Sequence, residues 1–175
     1  MIRSALELAQ HPQNIEFLVY CDDDDYSMLN FVANNTNLYI GKSASISKMT
    51  NILAANALGE LIMYGADDVI FRTQYWDKII LDCYFQSKYE YLLIHGDDLG
   101  QNSRKIATHA FVSRKLYNEL GYLLPEQFSG DFCDTWLTDV TDKAKCRLYL
   151  PNIIIEHMHP TWGKAEWDET YRSRS

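Results

Sequence analysis

Carboxylates gather twice in this chain at a point where an apolar run stops. Asp22, Asp23, Asp24 and Asp25 follow the run Ile15 to Tyr20, and Asp67 and Asp68 follow the run Leu61 to Tyr64. Adjacent carboxylates at the carboxyl end of a buried strand sit where open α/β sheets bind their ligands. Burying them is costly unless a cation or hydrogen-bond donors compensate, and hard divalent metals prefer oxygen ligands. The pattern around Asp67 and Asp68 predicts a metal-assisted site for a phosphate-bearing substrate. A third run, Ile153 to Ile155, ends in Glu156, His157, Met158 and His159. His157 and His159 stand two positions apart, so an extended segment would turn both to one face.

These residues need a frame. Asn51 to Leu58 carries apolar residues at helical spacing up to Gly59, where a left-handed glycine would stop the helix. Ser45 or Ser47 would cap its start. Lys48 and Asn51 lie close to that start, where free backbone N–H groups favour a phosphate. The short run Leu61 to Tyr64 then reads as a strand buried on both faces. Elsewhere the pattern predicts helices over Ile2 to Ala9, near Trp76 to Phe85, over Arg114 to Leu120 (capped by Ser113, stopped by Gly121) and around Asp134 to Thr141. Strands are expected at Ile15–Tyr20, Leu38–Ile40, Tyr91–Ile94, Thr108–Val112, Arg147–Leu150 and Ile153–Ile155. Residues 1–160 would form one domain and residues 161–175 a polar tail with Trp162, Trp167 and Tyr171.

The 175 residues suffice for one substantial core, and 47% hydrophobic with 23% charged residues is ordinary for a globular domain. A formal net charge of -8 argues against a nonspecific nucleic-acid binder, which needs a basic face. It leaves nucleotides open as substrates, because a bound divalent cation reverses the local field. No apolar stretch is long enough to span a bilayer, and the polar start MIRSALELAQ does not read as a signal peptide. Cys21, Cys83, Cys133 and Cys146 lack zinc-ligand spacing, so free thiols in a reducing cytoplasm are expected.

In order and spacing, these motifs resemble the GT-A fold glycosyltransferases, especially the family 2-like enzymes that use nucleotide sugars. The likeness runs from about Ile2 to His159. Asp22 to Asp25 resemble the family's nucleoside-contacting acids. The helix from Asn51, with Gly59-Glu60 and the strand after it, resembles the lead into the DxD motif that coordinates the metal on the nucleotide diphosphate. Gly65-Ala66-Asp67-Asp68 stands in that place, with Asp67 and Asp68 jointly on the metal side. HAFVSRKLYNELGYLLPEQF is similar to the acceptor-side segment, and Cys133-Asp134-Thr135-Trp136-Leu137 to the Glu-Asp motif, with Cys133 in place of its glutamate. Asp134 then matches the general base of inverting members, and Asp131 is the alternative. PNIIIEH is similar to the closing strand and puts His157 at a metal-coordinating position. The family also has a strand ahead of the helix at Ile2 to Ala9. This chain shows none, so the domain is expected to lack it, leaving backbone groups unpaired between that strand's neighbours.

What the resemblance implies is an α/β, GT-A-like single domain with a mixed, mostly parallel sheet flanked by helices. It would use Mn²⁺ or Mg²⁺, a UDP- or GDP-linked sugar donor, and a sugar, lipid or protein acceptor. Asp67, Asp68 and His157 would hold the metal, and Asp22, Asp23, Asp24, Lys48 and Asn51 the nucleotide. Asp134 or Asp131 would take the acceptor's proton. The competing reading is a noncatalytic carbohydrate- or nucleotide-binding relative of the same fold. His95 and His109 are expected as hydrogen-bonded structural residues, and Trp76, Trp136 and Trp162 as packing residues more than sugar platforms.

Overall fold

Short apolar runs become strands where a neighbour supplies backbone partners, and here they do so in two separate sheets. The structure, a computed structural model, describes residues 1–26, 35–100, 103–128 and 131–167. Two parallel strands, β1 (Phe17–Asp22) and β2 (Thr36–Gly41), form the smaller sheet. The larger contains β3 (Leu61–Met63), β4 (Val69–Phe71), β5 (Leu93–Asp97), β6 (Phe111–Ser113) and β7 (Arg147–His157). Their spatial order is β3-β6-β5-β7-β4. The helices are α1 (Ile2–Leu8), α2 (Ile46–Asn56), α3 (Trp76–Gln86), α4 (Arg114–Leu120) and α5 (Cys133–Lys143). This is the expected mixed α/β class, and Tyr171 lies outside the described residues.

Helices cover both faces of the large sheet, and the period of two along its strands shows how. Ile94 and Phe111 point into a cluster with Phe71, Trp76, Ile80 and Ile155. Their chain neighbours Leu93 and Val112 point the other way, toward Ile62, Leu116 and Leu137. Trp76 is therefore core: its ring lies 4.5 Å from Phe71, and its indole N–H donates to the Ala5 carbonyl over 2.9 Å.

Two expectations about the sheet are corrected. The strand expected at Ile15–Tyr20, in one mixed sheet with Leu61–Tyr64 and Tyr91–Ile94, begins at Phe17 and belongs to the small sheet. Nor is the large sheet mostly parallel, since β5–β7 is parallel while β3–β6, β5–β6 and β4–β7 are antiparallel. The physical reason is the end at which each strand enters. β5 reaches β7 through two helices that carry the chain back to the starting end, whereas β4 and β6 begin at the end of the sheet where β3 and β5 leave it and so run back.

The two expected strands around Pro151 are one continuous β7, with Pro151 exposed. Pairing with β5 jumps from His95–Tyr149 to Asp97–Ile154, and the extra residues bulge against Gly96. A Cβ at Gly96 would stand 2.2 Å from the Ile153 carbonyl oxygen, so only glycine fits.

Ser45 caps α2, accepting from the Lys48 N–H, and Ser113 caps α4, accepting from the Leu116 N–H. Gly121 ends α4 at φ 77°, left-handed as expected. Gly59 does not end α2 that way. The helix already stops at Ala57 in an extended conformation, and the Glu16 carboxylate accepts from the N–H groups of Leu58 (2.5 Å) and Gly59 (3.0 Å). A long-range carboxylate performs the stop that a local glycine was expected to make.

Candidate functional site

The registers bring one end of the large sheet together. Met63 and Ile94 both face Phe111, Asp97 pairs with Ile154, and His157 pairs with Val69. The carboxyl ends of β3, β5 and β7 and the amino ends of β4 and β6 therefore lie side by side. The turn from β3 to β4 has only five residues, Tyr64 to Asp68, yet it joins opposite edges of the sheet. Four strand spacings of about 4.8 Å make about 19 Å across a flat sheet. Five residues reach that far only when nearly fully extended. The sheet curls instead, and the acidic turn closes across its end.

There Asp68 is held from two sides. Its carbonyl oxygen accepts the Met158 N–H over 2.8 Å, and its Oδ2 lies 3.2 Å from His157 Nε2. The His157 N–H in turn donates to the carbonyl of Asp98, the last buried residue of the β5 end. Asp67 is exposed beside this pair, and the chain's amino group contacts its carbonyl oxygen at 3.4 Å.

Around His157 stand three more rings. His109 lies 4.8 Å away between centroids, His159 5.1 Å and Trp162 5.5 Å. His157 and His159 thus do come to one side, and the turn Pro160–Trp162 folds back over them. The domain boundary expected after residue 160 falls inside that turn. His109 is the residue sequence reasoning misjudged. It is buried, and neither ring nitrogen has a hydrogen-bond partner, so it is not the hydrogen-bonded structural histidine expected. Burial lowers its pKa to about 3, helped by the neighbouring His157 charge and opposed by Asp68. No local signal marks it, because its neighbours come from the antiparallel return of β6 beside β5. His95, by contrast, is a structural residue, with Nε2 2.9 Å from the Arg147 guanidinium.

The backbone of Asp134 is tied to the same end by a chain of hydrogen bonds, while its carboxylate bonds locally to Thr135. Asp134 lies in the first turn of α5, and its carbonyl accepts from the Thr138 hydroxyl over 2.7 Å. Thr138 Oγ1 accepts the Ala107 N–H, and the Ala107 carbonyl accepts the hydroxyl of Tyr64, the first residue of the acidic turn. Burial drives the Tyr64 phenol well above its ordinary pKa, and the nearby charges of Asp134, Cys133 and Asp98 push it the same way. Asp134 Oδ1 accepts from the Thr135 N–H at 2.7 Å. Asp131 is exposed, one residue ahead of Phe132, which caps α5 in a left-handed conformation (φ 65°).

The expected nucleotide ligands are spread more widely. Asp22 closes β1, Asp23 to Asp25 are exposed in the turn after it, and Lys48 is exposed in the first turn of α2. Asn51 is fully engaged elsewhere. Its Oδ1 accepts from the N–H groups of Leu123 and Leu124, and its Nδ2 donates to the Leu124 carbonyl and to Glu126. It clamps α2 to the loop after α4. Trp136 packs at 5.6 Å from Tyr122, away from the imidazoles.

Among the described residues, no three His, Cys, Asp or Glu side chains converge closely enough to hold an ion alone. Asp68 and His157 are instead bound to each other, the carboxylate facing one ring nitrogen. His157 has its Nδ1 buried and without a hydrogen bond while Nε2 faces a carboxylate, the arrangement by which a carboxylate orients a ligating imidazole. Comparison with protein-family models, curated proteins and solved structures finds no match to this chain.

Proposed function

We propose that the chain is a metal-dependent glycosyltransferase that moves a sugar from a UDP- or GDP-linked donor to an acceptor hydroxyl with inversion. The observation that carries this reading is the meeting of an acidic strand-end turn, an imidazole and the Asp134 helix at one end of one sheet. Asp67, Asp68 and His157 would hold Mn²⁺ or Mg²⁺, with phosphate oxygens and water completing the shell. Bound there, the cation would neutralise the departing diphosphate as a Lewis acid. Asp22 to Asp24 would accept hydrogen bonds from the nucleoside, and Lys48 would face its phosphates. Asp134 would take the proton of the attacking hydroxyl, which a sugar, lipid or protein acceptor supplies. Trp162, against His157 and His159, is better placed than Trp76 or Trp136 to orient a sugar.

On this reading the metal binds weakly alone and more tightly with a nucleoside diphosphate, which fills its remaining positions. Calorimetry with UDP and GDP, with and without Mn²⁺, tests it: nucleotide affinity should rise about tenfold or more with the metal. Equal affinity in both conditions would remove Asp67, Asp68 and His157 from a metal role.

A further inference from the structure

A groove separates the two sheets. Among the described residues β1 pairs only with β2, and β3 only with β6, so each strand keeps one unpaired edge. Both strands line the same groove, which encloses about 280 Å³. Phe17 and Leu18 stand on one wall and Leu61 and Met63 on the other, with Leu53 of α2 above and buried Trp76 and Ile80 below. Edge strands left open beside apolar surface are templates for another strand.

We propose that this groove is a strand-addition site for an extended polypeptide segment with apolar residues at its centre and Lys or Arg at its ends. Three features select that occupant. Only a backbone can satisfy strand edges, whereas a compact apolar molecule would leave them unpaired. The walls and floor take aliphatic side chains. The charged side chains of the lining are Glu16, Glu60 and Asp77, with no Lys or Arg among them, in a chain of net charge -8. Asp77 is committed to the N–H groups of Gln10 and His11, and Glu16 to those of Leu58 and Glu60's neighbour Gly59. Glu60 is exposed on the lining of the groove and bonded to neither of these groups. This inference stands on the split between the sheets and does not need the glycosyltransferase reading.

The test uses the full chain and three synthetic seven-residue peptides. The first has alternating Val and Ile between terminal lysines, the second is identical but N-methylated at alternate residues, and the third carries glutamates at its ends. The first should bind saturably at one per chain. N-methylation removes backbone donors and keeps the side chains, so it should weaken binding tenfold or more, and the glutamate ends should weaken it severalfold. Leu18→Arg should abolish binding; should that variant fail to fold, Thr50→Arg, on the half-buried α2 wall, should lower it instead. Equal binding of the N-methylated peptide would make the groove a site for apolar side chains alone and overturn strand addition. No saturable binding, or a concentration-dependent dimer that protects the groove, would overturn this occupant as well.

Discussion

Asp22–Asp25 and Asp67–Asp68 look alike as sequence, each an acidic run behind a short apolar strand, yet the fold treats them differently. The first run ends a two-stranded sheet. Asp23 to Asp25 are exposed, their backbone closes a local turn (Asp25 N–H to the Asp22 carbonyl, 3.1 Å), and Asp25, Asp22 and Asp24 help burial raise the Cys21 thiol pKa. The second run closes a curled five-stranded sheet. Asp68 is fixed by Met158 and His157, and His109, Asp98 and the hydrogen-bond chain to the Asp134 backbone stand around it. An acidic strand end acquires chemistry from what the topology brings across it. β1 has one neighbour to bring, whereas the end of β3 meets four other strand ends.

The sharpest way to break this contrast is Asp134→Asn. On the proposed mechanism the variant keeps shape and helix-starting ability but loses the proton acceptor, so turnover should drop roughly 10²–10⁴-fold with nucleotide and Mn²⁺ affinity little changed. Wild-type turnover would detach Asp134 from the chemistry and leave Asp131 as the base. Next in size is the pair Asp68→Asn and Asp22→Asn, compared by calorimetry with UDP. Asp68→Asn should erase the gain in affinity from Mn²⁺, about tenfold or more, while Asp22→Asn should weaken UDP equally with and without the metal. If both lost the metal effect, the two acidic ends would belong to one cation site and the contrast would fail.

A control away from both runs is pH. Burial, and then Arg147, hold His95 neutral with a pKa lowered to about 4, so the unfolded chain takes up that proton first. Its contribution is fully present above pH 6.5 and is lost as pH falls toward 4. The denaturant midpoint should decline over that window, and His95→Gln should flatten the decline. An unchanged slope would place the acid sensitivity elsewhere. The smallest effect expected is Ser45→Ala, where losing the α2 cap should cost about 1 kcal/mol in a urea titration. A much larger loss would mean that α2 is positioned from its start and not chiefly by the Asn51 clamp.

Local chemistry made much of this legible. The caps at Ser45 and Ser113, the glycine stop at Gly121, the strand at Leu61 and the pairing of His157 with His159 on one side all follow from residue type and spacing. The four free cysteines follow as well. What failed involved a partner distant in sequence. Gly59 was read as a helix stop because glycine is the local device, but Glu16, far back in the chain, does the work. Asn51, expected among the nucleotide ligands, has its amide taken by the loop at Leu123 and Leu124.

The sequence by itself determined most of the segments that are strands or helices, though not the three-residue β4 at Val69–Phe71, and it determined which faces are apolar and where carboxylates end a strand. Those properties depend on neighbours one to four residues away, through backbone sterics, capping and periodicity. Tertiary structure alone decided that β1 leaves the main sheet, that β6 returns antiparallel to set His109 beside His157, and that β3 and β4 occupy opposite edges of a sheet curled enough to join them. Alternation along a strand fixes which way a side chain points, but every strand offers the same backbone donors and acceptors on both edges. Which neighbour takes each edge is settled by the packing of the whole chain, and among the described residues it leaves one edge of β1 and one of β3 open.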